Sequence, residues 1–77
     1  MNLEFPLSQL PVGQSATVCQ LQTSGSMRRR LQDLGIIHGT KIECVLKSPA
    51  GDPVAYRIRG ALIALRKSDS KTILMNP

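Results

Sequence analysis

Read for its apolar and polar positions, the chain is a series of short alternating runs punctuated by Gly, Pro and Ser, with one stretch of helical spacing among them. Ala16 and Val18 alternate with Thr17 and Cys19, which predicts a first strand over Ser15–Gln22. Leu21 falls on the opposite parity, and a bulge near Gln20 returns it to the core face. Ile42, Cys44 and Leu46 alternate with Lys41, Glu43 and Lys47, predicting a second strand over Lys41–Lys47. Ser48-Pro-Ala-Gly-Asp-Pro53 is a turn cluster. Beyond it Val54, Tyr56 and Ile58 alternate with Ala55, Arg57 and Arg59, so both arginines are expected to point outward from one strand. Gly60 permits a tight reversal into Ala61–Arg66, a polar turn follows at Lys67–Lys71, and Thr72–Met75 forms the last strand.

The helical spacing lies between the first two strands. Met27, Leu31 and Leu34 stand at i, i+4 and i+7 and make one apolar stripe. Ser24-Gly-Ser26 offers an N-cap oxygen for the free N–H groups of the first turn. Gly35 sits where a left-handed residue closes a helix, with Ile36 placed for the apolar closing contact. Ile37-His38-Gly39-Thr40 then reads as a type II turn, with Gly39 supplying the positive φ. Leu7–Gly13 is an opening segment punctuated by Pro11 and Gly13.

Together these elements predict a single domain over residues 1–77. It is mainly β: a small SH3-like barrel of about five strands with one short helix inserted after the first. Closure of such a barrel buries strand edges that otherwise invite pairing. A chain of this size buries roughly 60% of the surface its unfolded form exposes, enough for a modest core. No apolar stretch approaches the roughly 18–20 residues of a membrane span, and Met1–Pro11 lacks the pattern of a leader. Cys19 and Cys44 do not make a disulfide framework. The expected location is the reducing cytoplasm.

Charge narrows the choice of partner. Ten Lys and Arg against five Asp and Glu leave a net charge of +5, which favours an anionic partner: nucleic acid, an acidic protein face or a membrane surface. Phe5 and Tyr56 are the only aromatic residues. That scarcity argues against single-stranded nucleic acid, which is bound on stacking platforms, and against a reader of proline-rich peptides.

The run Arg30-Leu-Gln-Asp-Leu-Gly-Ile-Ile-His-Gly39 resembles the signature of the FeoA family, in which a helix ends in Leu-Gly and a second Gly follows a short turn. Ser48–Pro53 resembles the family's Gly-Asp-Pro hairpin, Arg59-Gly60 with Ile63-Ala-Leu-Arg66 its closing strand, and Ile73 its final apolar position. The resemblance runs from Leu7 to Met75, and one departure is His38, where the family more often has Pro. The resemblance implies an SH3-like fold, similar also to the C-terminal domain of diphtheria-toxin-repressor-type regulators. It further implies a non-enzymatic role in bacterial ferrous iron uptake, with the cytosolic side of the membrane GTPase transporter FeoB as partner.

The residues themselves offer little chemistry for catalysis. His38 is the only histidine, and the phosphate-binding pattern Gly-x-x-x-x-Gly-Lys-Ser/Thr is absent. No cofactor is implied. Cys19, His38 and Cys44 are the candidate soft or borderline metal ligands, but their spacing is not that of a zinc site, and no metal residue is assigned. Arg28, Arg29 and Arg30 fall mostly off the apolar stripe and read either as a solvated face or as a docking surface. Leu62 and Leu74 have the parity opposite to Ile63 and Ile73, and lie either outside or beneath the helix or the N-terminal segment. The partner-binding residues expected on this basis are Arg28, Arg29, Leu62 and Leu74. The other reading is a metal-responsive regulatory module acting on nucleic acid or on a repressor partner, supported by the charge alone.

Overall fold

A computed structural model describes residues 3–77; Met1 and Asn2, the start of the stretch read for a leader, lie outside them. The described residues form one six-stranded antiparallel sheet. Its strands are β1 (Phe5–Pro6), β2 (Ser15–Leu21), β3 (Lys41–Lys47), β4 (Val54–Ile58), β5 (Ala61–Leu65) and β6 (Ile73–Asn76). A 3-10 turn at Leu7–Gln9 follows β1, helix α1 (Gly25–Asp33) joins β2 to β3, and the single-turn α2 (Lys67–Ser70) joins β5 to β6.

The spatial order is β1-β6-β2-β3-β4-β5. Strands β3, β4 and β5 are the expected meander, while β6 returns across the sheet to lie between β1 and β2. This is the small SH3-like β-fold with helical insertions, corrected in two respects. The ladder is open, with β1 and β5 as its edges, so hydrogen bonding does not close a barrel. A sixth strand is present because Phe5 and Pro6 pair with Met75 and Leu74; two residues ending in Pro carry no alternation to betray it.

Burial follows the alternation with one exception. Ala16, Val18, Ile42, Cys44, Tyr56, Ile58, Ile73 and Met75 are buried with Leu7, Leu31 and Ile36. The β2 bulge is where it was expected: pairing with β6 slips between Val18 and Gln20, which makes Cys19 the extra residue and moves Leu21 against Ile73. A second slip, between Cys44 and Leu46, was not legible. Val45 is extra there, so Leu46 pairs with Ala55 instead of Val54 and turns outward, 51% exposed, against its expected place in the core.

Helix α1 closes as the sequence predicts. The Ile36 N–H donates to the Leu31 carbonyl at 3.0 Å and the Gly35 N–H to that of Gln32 at 2.9 Å, with Gly35 at φ +94°. This is the paired-bond helix stop, and its apolar seal joins two fully buried residues, Leu31 and Ile36. The start differs. Ser24 occupies the N-cap position but makes no side-chain capping bond. Instead Arg28 folds back and donates from Nη1 to the Leu21 carbonyl at 2.8 Å and to that of Thr23 at 3.4 Å, tying the helix to the end of β2.

Candidate functional site

The turn after α1 is held in place by β2. The Gly39 N–H donates to the Val18 carbonyl at 2.9 Å, and the Val18 N–H donates to Thr40 at 2.8 Å. Thr40 N–H returns to the Ile37 carbonyl at 3.0 Å, closing the expected turn with Gly39 at φ +90°. Inside it, the buried Thr40 hydroxyl donates to the Gly35 carbonyl at 2.8 Å. The four residues Ile37–Thr40 thus form a fixed ridge with Ile37 and His38 exposed on its crest.

A hollow lies on each side of that ridge. The larger, about 590 Å³, is lined by Ile37, His38, Lys41, Glu43, Arg57 and Arg59, among others. Three basic side chains, Lys41, Arg57 and Arg59, line it with one carboxylate, Glu43, and the Arg57 Nε stands 3.3 Å from Glu43 Oε1. With both partners of that pair about half exposed, it orients the guanidinium more than it stabilises the fold. The remaining surplus of positive charge beside the apolar Ile37 suits a carboxylate-bearing segment, because the planar guanidinium pairs with carboxylate through two parallel bonds. The smaller hollow, about 460 Å³, is lined by Cys19, Gln20, Leu21, Arg28, Gln32 and the same Ile37 and His38.

Arg59 reaches the larger hollow by an unexpected route. Pairing of Ile58 with Ala61 leaves Arg59-Gly60 as a two-residue loop with φ +51° and +83°, a type I′ turn. Asn or Gly fits the first position of such a turn with less strain, and an arginine there costs about 1–2 kcal/mol. Arg59 therefore does not alternate outward along a strand with Arg57. Its side chain packs over Gly35, where an added Cβ would stand 2.6 Å from Arg59 Cδ. A strained residue whose charge rims a hollow is a functional candidate that strand alternation could not reveal; the Arg-Gly dipeptide was its one signal.

The expected docking residues do not come together. Arg28 lines the smaller hollow with its guanidinium committed to backbone carbonyls. Arg29 is exposed on α1 and belongs to neither of the two hollows. Leu62 is 57% exposed on edge strand β5, directly across from Arg57. Leu74 is half-buried on β6, paired with Pro6 and Gln20, and three strands separate it from Leu62.

The candidate metal ligands do not assemble either. Cys19 and His38 border the same smaller hollow, but the Cys19 thiol donates to the Glu4 carboxylate. That bond, with burial and the Glu4 charge, holds the thiol above its usual pKa. Burial does the same to Cys44, deep in the core. Among the described residues no group of three or more His, Cys, Asp or Glu is arranged to hold a metal ion, and no helix is long and apolar enough to cross a membrane.

Comparison with known proteins matches this geometry to a family. The FeoA domain profile covers residues 5–77. A Fe(2+) transport protein A/Fe(2+) transporter FeoB fusion protein of Porphyromonas gingivalis is 36% identical over 67 residues, which are 87% of this chain and 8% of that protein. The chain thus spans under a tenth of the length of that relative. The solution structure of a FeoA-like protein from Clostridium acetobutylicum superposes with a TM-score of 0.88 at 36% identity, covering 99% of this chain and 88% of that one. The zinc complex of Stenotrophomonas maltophilia FeoA, a prokaryotic SH3 domain protein, gives 0.84 at 32% identity over 94% and 89%. With its helix stop, pinned turn and six-stranded SH3-like sheet, the chain belongs to the FeoA family.

Proposed function

We propose that this protein is a regulatory accessory of bacterial ferrous iron uptake that docks on the cytosolic side of a FeoB-type membrane GTPase transporter. The observation that carries the reading is the Porphyromonas protein, in which the related segment is fused to the transporter in one polypeptide. Fusion raises the effective concentration of one part at the other, and a separate chain needs its own affinity to achieve the same encounter. The Stenotrophomonas relative has been put forward as a ferrous iron transport activating factor, which fits the same role. On this chain the basic hollow with Ile37, Lys41, Arg57 and Arg59, and the exposed Leu62 across from Arg57 on β5, supply a surface for an acidic partner face. Arg28 and Arg29 carry further positive charge on α1, outside that hollow.

Regulation through such a surface requires tighter binding to one conformational state of the transporter than to another. The test is a binding titration against the full-length transporter in detergent, with and without GTP, at low and moderate salt. Saturable binding that survives moderate salt and is lost in an Arg57→Glu, Arg59→Glu double variant is expected. No binding by the parent chain under any of these conditions overturns the proposal.

A further inference from the structure

The two edges of the sheet are built differently. Strand β1 is two residues long and contains Pro6, features that blunt an edge. Strand β5 is Ala-Leu-Ile-Ala-Leu, five residues without a charge, a proline or a slip in its register. Its inner side pairs with β4 from Ile58↔Ala61 to Val54↔Leu65. The two-residue loop makes Ile58 and Ala61 a hydrogen-bonded pair, and bonding alternates along an antiparallel ladder. Tyr56↔Ile63 and Val54↔Leu65 are then bonded as well, which turns the N–H and C=O groups of Leu62 and Ala64 toward the free edge. None of the turn, loop and cap hydrogen bonds among the described residues uses them.

Charge decides what fits this edge. Arg59 precedes β5, Arg66 and Lys67 follow it, and Arg57 lies across from Leu62. A second copy, paired antiparallel with Ile63 on Ile63, would bring Arg59 of each chain opposite Lys67 of the other, so like charges meet at both ends. An extended segment with carboxylates at its ends meets the opposite sign at both. We infer that β5 is a docking edge that takes an extended segment of the partner protein as a seventh strand, apolar in its middle and acidic at its ends. The inference rests on the partner reading above and names the part of the partner that engages. The inward side chains of that segment cover the half-buried Ile63, its outward ones lie beside Leu62, and its acidic end near Arg59 reaches the rim of the basic hollow.

The test is amide hydrogen exchange of the full chain, alone and saturated with the detergent-solubilised FeoB-type transporter, quenched and read residue by residue. Leu62 and Ala64 are expected to slow by about tenfold or more in the complex, as groups do on gaining a bond worth roughly 1.4 kcal/mol. Ala64→Pro removes one outward N–H and no ladder bond, so it should leave the exchange of Tyr56 and Ile63 intact and weaken binding by about tenfold. A complex of parental affinity with unchanged exchange at Leu62 and Ala64 overturns the docking edge and leaves the partner reading standing. Protection that grows with concentration in the chain alone overturns the acidic segment in favour of a second copy. Failure to form any complex overturns the partner reading and this inference with it.

Discussion

Gly35 joins the helix stop to the basic hollow, and Gly35→Ala perturbs both at once. At φ +94° a side chain is strained wherever its Cβ points, at a cost of about 1–2 kcal/mol. The new Cβ also lies 2.6 Å from Arg59 Cδ, closer than carbon atoms tolerate, so the Arg59 side chain must swing aside. For a domain of this size each kcal/mol lowers the melting midpoint by about 4–8 °C. Thermal unfolding followed by circular dichroism should therefore show a fall of about 4–16 °C. Repeating the substitution in an Arg59→Ala background separates the two causes: the backbone part persists, and the part due to the clash disappears. A variant that melts within about 2 °C of the parent, at most half the smallest shift expected, refutes the assignment of Gly35 as the left-handed helix stop.

Further outcomes follow from other residues. Arg59→Asn relieves the strain of the type I′ turn and should raise stability by about 0.5–1 kcal/mol in a denaturant titration, while weakening partner binding through loss of the charge at the hollow. Arg28→Ala should cost about 1 kcal/mol by losing its bonds to the Leu21 and Thr23 carbonyls. Arg29→Ala should cost under about 0.5 kcal/mol on the same measure; equal effects would refute the structural role given to Arg28. Alkaline pH should destabilise the fold, because burial raises the pKa of both the Cys44 thiol and the Tyr56 phenol. Below their unfolded values both groups are protonated in both states and stability is complete. Above about pH 8.5 for the thiol and about pH 10 for the phenol, the unfolded chain releases protons that the folded chain retains. Stability then falls with rising pH by up to about 1.4 kcal/mol per pH unit for each group. Cys44→Val should make the first part of that fall shallower in melts recorded from pH 7 to 11, the remainder belonging to the Cys19 thiol, which is raised as well; an unchanged profile would refute the assignment to Cys44.

Much of this protein is determined by its sequence alone. Parity along a strand and spacing along a helix are local properties, so Ile42, Cys44, Tyr56 and Ile58 could be placed in the core and Gly35 at a helix end without knowledge of any contact. The bulge near Gln20 was legible for the same reason, since Leu21 breaks a visible alternation. The slip at Val45 was not: Ile42, Cys44 and Leu46 alternate without fault, and only pairing with β4 shows that Leu46 has turned to solvent. Strand β1 exists because β6 offers it a ladder, and β5 is an edge because no other strand lies beyond it; neither is a property of the residues themselves. The candidate site belongs to the same class. Arg57 and Arg59 lie well beyond His38 and Lys41 along the chain and meet them only because a pinned turn, a strand pair and a hairpin loop converge. A local pattern reports which face a side chain takes. Which faces meet, which edge stays open and which arginine is occupied by backbone carbonyls are settled by contacts between residues distant in sequence, and those only the tertiary structure decides.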